Sequence, residues 1–205
     1  MGDYGEFQSE AIILASKSPV RAALLRNAGL KIATAAADID ERSVEDALGN
    51  ELEADDVALV LAEAKALDVA ENYPDTLVIG ADQTLSCEGT ILHKASDDED
   101  LRKKLLYLSG KTHTLSSAVT IARNGETLWR TSAQAHLKMR PLSPQYVGRY
   151  VAHTLPETLQ SVGGYHLEGA GAQLFERIEG DYFTVLGLPL LPLLAWLRAE
   201  KILIS

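Results

Sequence analysis

The chain has 205 residues, 46% of them hydrophobic and 23% charged, which is ordinary for a folded protein long enough to bury a substantial core. Its net charge is −10, and nine acidic residues stand against the single base Arg42 between Asp38 and Asp56. That balance argues against a protein that grips a nucleic acid polymer by its backbone and reads as a solvated acidic face. One cysteine, Cys87, excludes an intramolecular disulfide framework and gives no zinc spacing; no apolar run reaches the roughly 18 residues of a membrane span.

In chain order, residues 1–10 carry no basic start or apolar run and read as a loose extension of a soluble, cytoplasmic protein. AIILA at 11–15 predicts a buried strand. Ser18-Pro19 then starts a helix, with serine as N-cap and proline at the first helical position, and Gly29 stops it. A second strand is expected over Lys31 to Ala36, followed by an acidic loop. From Asp55 to about Asn72, the spacing of Val57, Val60, Leu61, Ala64 and Leu67 marks an amphipathic helix.

Thr76 to Ala81 predicts another buried strand, with Asp82 at its end. Ser96 and Glu99 form a capping-box pattern opening a helix to about Leu108. Strands over Thr112 to Arg123 and Thr127 to Met139 flank Asn124-Gly125, a hairpin signal. Ser143-Pro144 repeats the helix start, giving a helix to about Ala152. Gly163 to Gly187, with six of the fifteen glycines, reads as close-packed turns and short strands, and a terminal helix follows Pro189. Interleaved strands and helices with one antiparallel hairpin give an α/β class with a mixed sheet.

Leu14 to Arg21, LASKSPVR, offers a helix N-terminus, serines, Lys17 and Arg21 to an anion, although the same residues make a well-capped helix. Asp82 suits a cation ligand or an orienter of water; its alternative is a turn. Lys65 and Lys94 can neutralise phosphate or lie solvated on the surface, and Asp40-Glu41 is a carboxylate pair among many acids. The five histidines show no H-x-x-x-H spacing, and there is no G-x-S-x-G elbow, Walker loop or G-x-G-x-x-G fingerprint, so zinc enzymes, hydrolase triads, P-loops and Rossmann cofactors lose support.

Together LASKSPVR, LAEAKA at 61–66, VIGADQT at 78–84, His93-Lys94, LSGKTH at 108–113 and the glycine-rich run at 165–190 resemble the Maf family of nucleotide pyrophosphatases. The resemblance runs from about Ile12 to Leu197. It implies a twisted mixed sheet flanked by helices, with two lobes around a nucleotide-binding cleft in one domain, and hydrolysis of a nucleoside triphosphate to monophosphate and pyrophosphate. On matching positions it implies Asp82 as proton acceptor, Ser16, Arg21, Lys65 and Lys94 around the triphosphate, and Glu41 with Asp82 at a Mg²⁺ or Mn²⁺ ion.

Three features depart from the common pattern. Val20 stands where S-P-R-R has its first arginine, and His93 and Ala95 flank Lys94 where G-K-P has glycine and proline. Gln83 and Glu168 occupy the places of threonine and glutamine in members acting on dTTP and UTP, which resembles the branch associated with 7-methyl-GTP; the surrounding GGYHLEGAGA follows the general family, so both substrate classes stay open. The competing expectations are a nucleotide-binding regulator of cell division with incidental catalysis, and a structural module that binds no nucleotide. Oligomeric state is not legible, although the resemblance is compatible with a homodimer.

Overall fold

The computed structural model describes residues 8–49 and 52–204. Of the expected loose extension, residues 1–7 lie outside the described ones, while Ser9 N donates to Ile202 O and Gln8 forms a bridge with Leu203. Seven strands form one sheet: β1 (Ile12–Ala15), β2 (Ile32–Thr34), β3 (Leu77–Cys87), β4 (Thr90–Leu92), β5 (Thr112–Arg123), β6 (Glu126–Met139) and β7 (Phe175–Glu179). Their order is β2-β1-β3-β5-β6-β7, with β4 paired to the far half of β3. β1 is parallel to both β2 and β3, and every other pairing is antiparallel, so the sheet is mixed as expected. Asn124 and Gly125 both have positive φ, 52° and 76°, the backbone a two-residue hairpin turn requires.

The helices are α1 (Pro19–Asn27), α2 (Glu41–Leu48), α3 (Ala54–Asn72), α4 (Asp98–Leu108), α5 (Pro144–Thr154), α6 (Tyr182–Val185) and α7 (Leu190–Ala199). Both Ser-Pro starts behave as read: Ser18 and Ser143 accept from the backbone N–H groups of Arg21 and Tyr146. α3 crosses one face of the sheet, where Ala58, Ala62, Ala66 and Val69 meet Ile13, Val78, Ala118 and Ala122. Small residues allow a close approach, and Gly80 is required by it: a Cβ there would lie 2.1 Å from Ala62 O. On the opposite face Leu25 of α1 and Leu193 and Leu197 of α7 pack on Ile12, Leu14, Ile79 and Ile121. A separate core joins the far ends of β3, β5 and β6 to α4 and α5 through Leu85, Leu115, Leu137, Leu101, Leu105 and Val151. One continuous sheet thus carries two lobes.

Four expectations change. The acidic loop contains α2, an exposed helix with no buried residue; Asp40 caps it by accepting from Ser43 N. β3 continues to Cys87 instead of stopping at Ala81, because β5 pairs it through Ser86, and the short β4 folds back on it through Glu88 and Gly89, both with positive φ. The helix cap before α4 is Asp97, whose carboxylate accepts from Asp100 N, and not Ser96. In the glycine-rich run, the expected turns and short strand are joined by the one-turn helix α6.

Candidate active site

Between the lobes lies a cleft of about 510 Å³, within the range of small-molecule sites. The local cause is a gap in strand pairing. β1 stops pairing with β3 at Ala15–Gly80, and β4 starts at Leu92–Leu85. Between them, among the described residues, β3 has a strand partner only on its β5 side, where Asp82 pairs with Ala118. Asp82 therefore sits in mid-strand, and not at a strand's end as expected; the strand that ends is its neighbour. Pairing on one side holds the backbone, and the missing neighbour on the other opens the cleft.

α3 supplies the partner. Lys65 Nζ lies 2.6 Å from Asp82 Oδ1 and 2.8 Å from Glu41 Oε1. Lys65 and Asp82 are 8% and 7% exposed, so neither is a solvated surface charge. Glu41 approaches from the first turn of α2. Its desolvation works to raise its pKa, but the hydrogen bond and charge of Lys65, joined by Lys94 and Arg21, outweigh this and hold it below the usual value. Two carboxylates from separate elements thus converge on one ammonium.

Arg21 lines the cleft and is also held by the protein's own acceptors. Its Nε donates to Gly187 O at 2.7 Å and its Nη1 to Ala81 O at 2.8 Å and Ser16 Oγ at 3.4 Å. Burial lowers its pKa, opposed by the charges of Asp82 and Glu41. It braces the floor beside Asp82 against the turn after α6. Gln83 also ties α6 to the floor, its amide donating to Ser117 Oγ at 2.9 Å and to the carbonyls of Thr184 and Val185 at 3.1 Å each. Lys94 and Glu168 are exposed and line the wall contributed by the second lobe. All eight residues singled out, Ser16, Arg21, Glu41, Lys65, Asp82, Gln83, Lys94 and Glu168, line this one cleft.

The sequence profile described as "Maf-like protein" matches residues 11–200. The chain belongs to the Maf family. It is 56% identical over 191 residues to the 7-methyl-GTP pyrophosphatase of Brucella abortus, covering 93% of this chain and 96% of that one. It is 53% identical over 191 residues to the protein of that name from Mesorhizobium japonicum, with the same coverage. Against the one from Bartonella henselae it is 46% identical over 195 residues, covering 95% and 98%. Among solved structures, a HAM1 protein from Coxiella burnetii is matched with a TM-score of 0.44 at 14% identity, over 76% of this chain and 92% of that one.

Within this Maf chain, Val20 and Ala95 each have a place. Val20 lines the cleft, giving it an apolar surface where the common motif has a cation. Ala95 is buried in the second core. Sequence reasoning missed Glu45, one turn after Glu41, whose carboxylate stands 3.6 Å from His93 Nδ1; burial first, then Asp82 and other acids, raises its pKa against the pull of His93. Reading 41–48 as a helix would have placed Glu45 on the face of Glu41. Among the described residues no cluster of three or more His, Cys, Asp or Glu side chains is arranged to hold a metal, and no helix is long and apolar enough to cross a membrane.

Proposed function

We propose that this chain hydrolyses the α,β-phosphate bond of a nucleoside triphosphate, releasing the monophosphate and pyrophosphate, and that its substrate is 7-methyl-GTP. The observation that carries the reaction is the Asp82–Lys65–Glu41 cluster, fixed on three elements at the floor of a nucleotide-sized cleft. Asp82 is the group that takes a proton from the attacking water. Lys65 holds its carboxylate in position. Ser16 and the positive end of α1 face the phosphates, and Lys94 approaches from the other lobe to bind the triphosphate.

Two convergent carboxylates suit a hard divalent cation that takes its remaining ligands from substrate phosphates and water. Glu41 and Asp82 would hold Mg²⁺ or Mn²⁺ there, and the ion would supply electrostatic stabilisation of phosphoryl charge. The base preference is supported by the names of the relatives and by Glu168, a carboxylate that complements the positive charge and N–H edge of a methylated guanine better than a neutral amide. Residues 1–205 are read as one domain placed in the cytoplasm, and the family resemblance is compatible with a homodimer.

Purified protein with Mg²⁺ or Mn²⁺ is expected to release pyrophosphate from 7-methyl-GTP faster than from GTP, dTTP or UTP. Preference for dTTP or UTP would overturn the base assignment alone. Orthophosphate in place of pyrophosphate, or no product from any nucleotide, would overturn the reaction.

A further inference from the structure

Lys104 lies in the middle of α4, facing inward behind the cleft wall. It is partly buried, and burial lowers its pKa, with only Asp100 acting in the other direction. Among the described residues it makes no ion pair; Asp100, one turn earlier, instead accepts from Ser96 N. A desolvated ammonium without a carboxylate is costly unless its N–H groups are used. Here they reach two main-chain oxygens far apart in sequence: His93 O, in the segment before α4, and Val162 O, at 3.2 Å, in the segment after α5.

Those two carbonyls belong to the two strips of chain that form the second lobe's side of the cleft. His93 is followed by Lys94, and Val162 opens the run that passes through Tyr165 to Glu168. The strips have no strand pairing with each other among the described residues. We propose that Lys104 is a positioning residue for substrate binding, a cationic cross-link that fixes the spacing between the strip bearing Lys94 and the strip bearing Glu168. It rests on the proposal that these two side chains face the nucleotide.

Its effect has a defined kinetic signature. Asp82, Lys65 and Glu41 stand on β3, α3 and α2, outside the second lobe's wall, and Lys104 touches none of them. Loosening the wall removes binding made alike in the ground and transition states, which raises KM and spares kcat. Hydrogen bonds from a charged donor are strong enough that Lys104→Met should raise KM for 7-methyl-GTP about tenfold while kcat stays within about twofold. Lys104→Arg, which keeps the donors, should recover most of the loss. In a Glu168→Gln background, Lys104→Met should raise KM less, because the two changes act on one contact.

A readout independent of activity is amide hydrogen exchange: in Lys104→Met, residues 93–96 and 161–168 should exchange faster, with α3 unchanged. An inactive native protein would sink the nucleotide reading without touching the cross-link. Unchanged exchange in both strips, or an unchanged KM in an active protein, would overturn the role of Lys104. If the Met variant does not fold, Lys104→Gln gives the same two readouts with a polar side chain, and a fall in kcat as large as the rise in KM there would likewise overturn it.

Discussion

Asp82 has a buried counter-ion that itself has a second carboxylate to satisfy, and this makes its substitutions unequal. Asp82→Asn keeps the side chain's size and a polar contact for Lys65, whereas an apolar replacement strips a buried ammonium of a partner. The asparagine variant is therefore the informative one. It should retain the fold and nucleotide binding while kcat falls by on the order of 10²–10⁴, the usual contribution of a positioned proton acceptor. Stopped turnover with intact binding also separates the enzyme from a nucleotide-binding regulator, and turnover near the native level would move the proton-accepting role to another group. At this scale the ordered motifs pointed to Asp82, Lys65 and Lys94, which the fold brings to one cleft. The bracing contacts of Arg21 were not legible, because the carbonyl it grips, Gly187 O, is 166 residues away and no local pattern reports such a contact.

Elements deliver these residues, and α3 does so only because it can come close to β3. Gly80 has no positive φ to demand glycine; what demands it is space, since a Cβ would meet Ala62 O, Ala66 N at 2.7 Å and Ala66 Cβ at 2.8 Å. Two of those three atoms are helix backbone and cannot swing aside, so Gly80→Ala should push α3 away from the sheet, costing about 1–3 kcal/mol. Lys65 rides on α3 and Asp82 on β3, so activity should fall along with the melting temperature. Gly148→Ala in α5 is the control: nothing lies within 4 Å of its added Cβ, and alanine in a helix should be neutral or stabilising by up to about 1 kcal/mol. Equal melting temperatures for the two variants would refute the close-approach account. The helices with a buried stripe and the long hairpin were readable from periodicity. α2 was not, because it buries no residue and its charges mask what period Val44 and Leu48 supply, and the full length of β3 was hidden because Asp82 and Gln83 interrupt its apolar run.

Across the whole molecule, a group that does not itself line the cleft controls how stability changes with acidity. His113 is 1% exposed in the second core; its Nε2 lies 2.6 Å from Tyr165 OH, and its Nδ1 has no partner among the described residues. Burial pushes its pKa from 6.5 down to about 4. The unfolded chain therefore takes up a proton near pH 6.5, and the folded chain only near pH 4. Between these values the unfolded state binds more protons, so stability is full above about pH 6.5 and declines as pH falls toward 4. The whole shift corresponds to about 3 kcal/mol, a large share of the roughly 5–15 kcal/mol that holds a typical domain folded. His113→Gln preserves a polar contact with Tyr165 and removes the titration. The native protein's melting temperature should then drop more steeply than the variant's between pH 7 and about 4.5. The acidic groups elsewhere, Glu41 included, are common to both proteins and cancel in that difference. Parallel curves would show that His113 is not the source of the acid sensitivity. A divergence confined to that window would tie acid sensitivity to the core that holds Tyr165, whose ring backs the same wall of the cleft as Glu168, so nucleotide affinity should weaken over the pH range in which the lobe loses stability.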